Sequence, residues 1–180
     1  MKRKPRKEPA QDDGAASNAA PHALWFVGRF LAGLAVGQLA IAWFPRVEGW
    51  AVTSTLASLR FVVGLFGLPG SVDGASFHLG PSRVEIVGEC TPLMPTLVLV
   101  AAIAAYPAPW QVQLVGVAAG ALLIWLFNLF RIGSLLAILT WRPNSFDFVH
   151  MYLWQTVTLF IVLLIFLSWT RMQRPRAVTP

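Results

Sequence analysis

The sequence holds a single cysteine, Cys90, among 180 residues. One thiol excludes an internal disulfide, and with it the paired-cysteine redox chemistry of a membrane disulfide carrier. Charge is nearly as scarce. Only 12% of the residues are Asp, Glu, Lys or Arg, about half the ~25% of a soluble domain. Histidines number 3 and acidic residues 8. No group of them has metal-ligand spacing, and the chain carries neither a phosphate loop nor a dinucleotide fingerprint. No metal and no cofactor is expected.

What fills the chain instead is apolar. Hydrophobic residues make up 56% of it and the mean hydropathy is +0.62. This is the composition of an integral membrane protein, and the length fits one domain. The net charge of +6 is concentrated at the ends, with five basic residues in 1–7 and three in 171–176. Basic ends flanking apolar spans orient a membrane protein. A nucleic-acid surface would place such residues on a folded face, so no nucleic-acid partner is expected.

Residues 1–22, rich in Lys, Arg, Pro, Asp and Ala, read as a disordered basic cytoplasmic tail. Residues 23–172 read as the membrane-embedded domain and 173–180 as a second basic cytoplasmic tail. The first span is 24–44, with Arg29 snorkelling near its cytoplasmic end. Ala40-Ile41-Ala42 fits a signal cleavage site, but the run is long for a signal peptide and contains an arginine, so a retained span is expected. Residues 50–68 repeat Val52, Leu56, Leu59, Val63 and Phe66 at helical spacing, interrupted by Thr53, Ser54, Ser58 and Arg60. This suits an amphipathic helix on the membrane or over the spans, with a second span as the competing assignment. In 69–88, Val84 and Ile86 alternate with Arg83 and Glu85 across a Gly80-Pro81-Ser82 turn from Phe77-His78-Leu79. That is a half-exposed hairpin outside the hydrocarbon, with His78 solvated. Further spans are expected at 91–106, 110–130 and 151–169. Gly116 and Gly120 mark a close helix contact. The fold expected is an all-α integral membrane bundle of about four transmembrane helices, plus an outer-face amphipathic helix and a short β-hairpin.

With both basic ends on the cytoplasmic side, three polar residues far apart in sequence reach one outer membrane face. Cys90 starts the second span, Arg131 ends the third and His150 opens the fourth. Each has an ordinary reading: a small buried thiol, a snorkelling arginine, a helix-end histidine. Together they fit acyl transfer. The histidine exchanges protons and holds the cysteine as thiolate, while the arginine stabilises a thiolate or a tetrahedral oxyanion. Glu89, beside Cys90, opposes a thiolate unless it points away or pairs with an arginine.

These residues resemble the exosortase/archaeosortase family of multi-span membrane cysteine transpeptidases over roughly 50–170. The resemblance rests on Cys90 after a hairpin-like stretch, on Asn128-Leu129-Phe130-Arg131-Ile132 as an N-x-x-R motif, and on His150 opening the last span. It implies Cys90 as nucleophile, His150 as general acid/base and Arg131 as transition-state stabiliser, with Asn128 and Glu89 as supporting residues. It further implies a cysteine peptidase (a hydrolase in the broad sense) in the cell membrane. Its substrates would be exported proteins whose C-terminal tail carries a motif, a transmembrane helix and a basic end. Cleavage would pass through a thioester to an acceptor, beside membrane lipid. Relatives often carry glycine shortly after the cysteine, whereas this chain has Cys90-Thr91-Pro92, a departure that bears on the subtype and the recognised motif. The competing readings are a non-catalytic membrane assembly subunit and a small transporter or lipid-headgroup binder. A rhomboid-like serine protease has little support, because Gly133-Ser134 lacks the Gly-x-Ser-Gly pattern.

Overall fold

The computed structural model describes residues 13–80 and 82–173. Helix α1 (Asp13–Trp43) is followed without a loop by α2 (Pro45–Leu65). Proline at the first helical position of α2 loses no hydrogen bond there, so the break at Phe44 turns the chain without ending helix formation. Helix α1 begins inside the stretch expected to be a tail. The alanine-rich run in 15–20 is a strong helix former, while the tail residues 1–12 and 174–180 lie outside the described residues.

Helix α2 is amphipathic along most of the expected stripe, but Val52 is only half-buried and Phe66, past the helix end, is exposed. Ala51, Thr55, Leu56, Leu59 and Val63 are buried on one face, while Trp50, Phe61 and Leu65 stay exposed. It ends in a Schellman turn: Gly67 N–H donates to Gly64 O and Leu68 N–H to Val63 O. Gly67 supplies the left-handed φ of +67° that this turn needs. Three antiparallel strands follow in the order β1 (Gly70–Asp73), β2 (Ser76–Leu79) and β3 (Ser82–Glu85). The expected hairpin is therefore two-thirds of a meander. Ser71-Val72-Asp73 carries one apolar side chain, too few to show alternation, so β1 leaves no signal in the sequence. Phe77, Leu79, Val84 and Ile86 face inward and meet Leu56, Leu59 and Val63 of α2 in one core. On the other face His78 is half-buried rather than solvated, and its Nε2 has no hydrogen-bond partner among the described residues.

A 3₁₀ turn at Gly88–Cys90 leads into α3 (Leu93–Ala105), which is followed by α4 (Trp110–Trp141), the single turn α5 (Phe146–Phe148), a π-helical turn Val149–Leu153 and α6 (Trp154–Gln173). Among the described residues three segments are long and apolar enough to cross a membrane: Ala23–Trp43, Trp110–Trp141 and Pro143–Gln173. The second expected span, 91–106, forms only the 13-residue α3, about 20 Å long against a ~30 Å hydrocarbon core. Its limits are set by proline. Thr91 and Tyr106 are extended, each directly before a proline that disfavours helical backbone in the preceding residue. Although short, α3 is central. Leu99 and Ile103 pack with Ile124 of α4 and with Val162 and Trp169 of α6 in a second core. Arg29 of α1 does more than snorkel: its Nη2 donates to Ala104 O at 2.9 Å, near the open end of α3, and its guanidinium stacks 4.5 Å from the Trp25 ring centroid.

Glycines let these helices close on one another. A Cβ on Gly116 would strike the Trp169 indole, and one on Gly120 would strike Leu99. The GxxxG pair thus serves α3 and α6 at once, where the sequence indicated only a close contact. Helix α4 runs unbroken to Trp141, past the end expected at residue 130. Arg131 therefore sits in mid-helix, about 15 Å before the helix end.

Candidate active site

Cys90 closes the 3₁₀ turn between the sheet and α3. Its N–H donates to Val87 O, and the Thr91 hydroxyl donates to Gly88 O at 2.7 Å, which locks the turn from both sides. Gly88 lies against α2 so closely that a Cβ there would run into the Glu48 carboxylate. The small residue lets the turn sit close to α2, and a larger one there would have to push the exposed Glu48 side chain aside. The thiol is 6% exposed and belongs to the same core as Ile132 and Leu136 of α4.

Helix α4 contributes the next two groups from one face. Asn128 and Arg131 are three residues apart and are 4% exposed each. Asn128 Nδ2 donates to Cys90 O at 2.9 Å. This bond pins the backbone of the cysteine to α4 across 38 residues of chain. Arg131 presents its side chain to the cavity that also receives Cys90 and His150. No side-chain hydrogen bond or ion pair of Arg131 occurs among the described residues, and its Nε is sealed without a partner. A guanidinium that is buried and left without an anion is costly unless something else supplies the acceptor.

His150 arrives from the far side on the π-helical turn. Such widened turns are rare and recur at functional sites. Its ring stacks on Phe146, centroids 5.5 Å apart and planes 29° from parallel. Its Nε2 lies 3.8 Å from Cys90 Sγ. That is within reach of a sulfur hydrogen bond, at the long spacing usual before a substrate is bound. The cavity between these groups measures about 230 Å³ and is walled by residues 83–87, by Ile132, Leu135 and Leu139 of α4, and by Phe146.

Three of the residues singled out in the sequence thus meet at one cavity, and Asn128 stands directly behind the cysteine. Glu89 does not line the cavity. It is exposed and forms no ion pair among the described residues. Phe146 and Glu48 were not foreseen. Phe146 had a detectable signal, an aromatic four residues before a histidine on a helical stretch. Glu48 had none, because its meeting with Gly88 is tertiary.

An apolar helical bundle that brings a cysteine, a histidine and an arginine to one cavity defines the class: an integral membrane protein with a candidate thiol site. A family model described as transmembrane exosortase matches residues 22–169. The chain belongs to the transmembrane exosortase family, which makes it a membrane protein with, in broad terms, a sortase-like transpeptidase role. No curated protein and no solved structure matches the chain.

Proposed function

We propose that this protein is a membrane cysteine transpeptidase that cleaves the C-terminal sorting tails of exported proteins. The observation that carries the reading is the 3.8 Å approach of Cys90 Sγ to His150 Nε2 beside the unpaired Arg131 guanidinium. Cys90 delivers its proton to His150 and attacks the scissile carbonyl. A C–S bond forms, and Arg131 receives the oxyanion of the tetrahedral intermediate. Collapse breaks the C–N bond, and His150 protonates the departing amine. The acceptor nucleophile then loses its proton to His150, attacks the thioester and releases Cys90 as the thiol. Water in place of the acceptor gives hydrolysis. Asn128 is a positioning residue, since its amide holds the Cys90 carbonyl and not the reacting atoms.

The competing assembly-subunit reading uses Arg131 as a tie between helices, and a tie needs a partner that Arg131 lacks among the described residues. A transporter needs a wet path through the bundle, and the layer of Leu99, Ile103, Ile124, Val162 and Trp169 is apolar. The substrate is an exported protein ending in a motif, a transmembrane helix and basic residues. Deleting the gene should leave at least one such protein of the host at its longer, unprocessed size, and restoring the gene should shorten it. If no tail-bearing protein changes size, the sorting role is wrong.

Both basic ends belong on the cytoplasmic side and the cavity on the outer face. The basic ends favour this orientation, and it needs α3 to complete a fourth crossing, since Ala23–Trp43, Trp110–Trp141 and Pro143–Gln173 alone would leave the ends on opposite sides. Cys90 is the only thiol, so the protein reports its own topology. A small, membrane-impermeant methanethiosulfonate cation added to right-side-out vesicles should modify Cys90. Modification in inverted vesicles alone would put the cavity on the cytoplasmic face.

A further inference from the structure

Strand β3 is an edge strand, and its free edge looks into the cavity of Cys90. Five consecutive residues, 83–87, line that cavity together with Cys90, Arg131 and His150. Successive side chains of a strand point to opposite faces. A cavity that touches every residue of a run therefore lies against its backbone edge, not against either face.

The register says which backbone groups are free. Ile86 N–H donates to Ala75 O, and the pairing of β2 with β3 runs Phe77↔Val84 and Leu79↔Ser82. Hydrogen-bonded pairs alternate with non-bonded ones in an antiparallel ladder. Ser82, Val84 and Ile86 thus turn their N–H and C=O toward β2, while Arg83, Glu85 and Val87 turn theirs outward. Of the outward groups, only Val87 O has a partner among the described residues, the Cys90 N–H. The outward residues are exposed, so the edge can be reached. Their charged side chains blunt indiscriminate pairing, as edge charges commonly do, but leave the backbone row open. The row runs for about 13 Å and ends at the turn that holds the nucleophile.

Resting on the transpeptidase reading above, we propose that the substrate polypeptide binds as a fourth, extended strand on the β3 edge, pairing with the outward backbone of Arg83, Glu85 and Val87 and presenting its scissile carbonyl to Cys90. Backbone pairing supplies the affinity and is blind to side chains. Selectivity falls to the side-chain positions that alternate between the cavity wall and solvent.

The test uses the full-length protein in detergent micelles and follows alkylation of Cys90 by mass spectrometry. The probe is acetyl-trialanyl chloromethyl ketone, with a set of analogues N-methylated at one amide at a time and iodoacetamide as the non-peptide control. Strand pairing uses every second amide, so N-methylation should slow labelling at alternate positions only, by about 2- to 12-fold for each hydrogen bond lost. Glu85→Pro removes one outward N–H at an edge position where proline is tolerated. It should slow the peptide probe by a similar factor and leave iodoacetamide unchanged. Equal rates across the methylated set, or equal slowing at every position, would overturn the strand. Uniformly sluggish alkylation, iodoacetamide included, would count against Cys90 as an activated nucleophile. The relative rates of the methylated set would still decide the strand.

Discussion

Replacing Cys90 with alanine is expected to abolish processing of the tail-bearing substrate outright. The chain has no second thiol, and no other side chain at the cavity can form the thioester; Arg131 and His150 are its remaining polar neighbours across from the β3 wall. The variant should still insert and accumulate. The change removes one sulfur atom from a core built mainly of Leu, Ile, Val and Phe, and the Asn128 bond goes to the backbone carbonyl, which alanine keeps. The measurement is the ratio of long to short substrate by immunoblot, with the variant's own membrane level as control. Normal processing by Cys90→Ala at normal level would sink the enzyme reading altogether. His150→Ala belongs to the same experiment. Proton transfer by a positioned group contributes typically ~10²–10⁴-fold, so processing should fall by that scale and not to zero.

The sequence carried the membrane class, the buried face of α2, the β2–β3 pairing and the convergence of Cys90, Arg131 and His150, because each leaves a periodic or local trace. Val84 and Ile86 alternate with charges, and Leu56, Leu59 and Val63 repeat at helical spacing. What it concealed depends on context. Residues 91–106 are apolar enough to read as a span, yet the prolines after Thr91 and Tyr106 cut the helix to Leu93–Ala105. Residues 110–130 read as a complete span, yet nothing in Arg131-Ile132-Gly133 stops a helix, and α4 continues to Trp141. The role of Asn128 could not be separated from packing in one dimension. Its hydrogen bond to Cys90 O exists only once α3 and α4 are side by side. The same holds for the β3 edge: its residues were legible as a strand, but the cavity along its backbone was not.

The continuity of α4 sharpens the test of Arg131. An arginine at a helix end can extend to the headgroups and tolerates lysine, which keeps the charge and most of the length. Arg131 is instead 4% exposed, far from the end of its helix, with its guanidinium at the cavity and no partner among the described residues. Lysine there loses the planar fork of donors and brings a more strongly hydrated, compact charge. Arg131→Lys is therefore expected to insert and accumulate normally, bind substrate, and process it slowly. Loss of one oxyanion donor costs roughly 2.7–4 kcal/mol, about 10²–10³ in rate. A donor that acts only on the oxyanion should lower the rate of thioester formation and leave substrate association intact. Time courses of processing in membranes, read alongside co-purification of the uncleaved substrate, separate the two effects. Weakened co-purification with an unchanged rate on bound substrate would make Arg131 a docking residue. Near-normal processing by Arg131→Lys would remove it from the reaction and leave Cys90 and His150 to act as a pair.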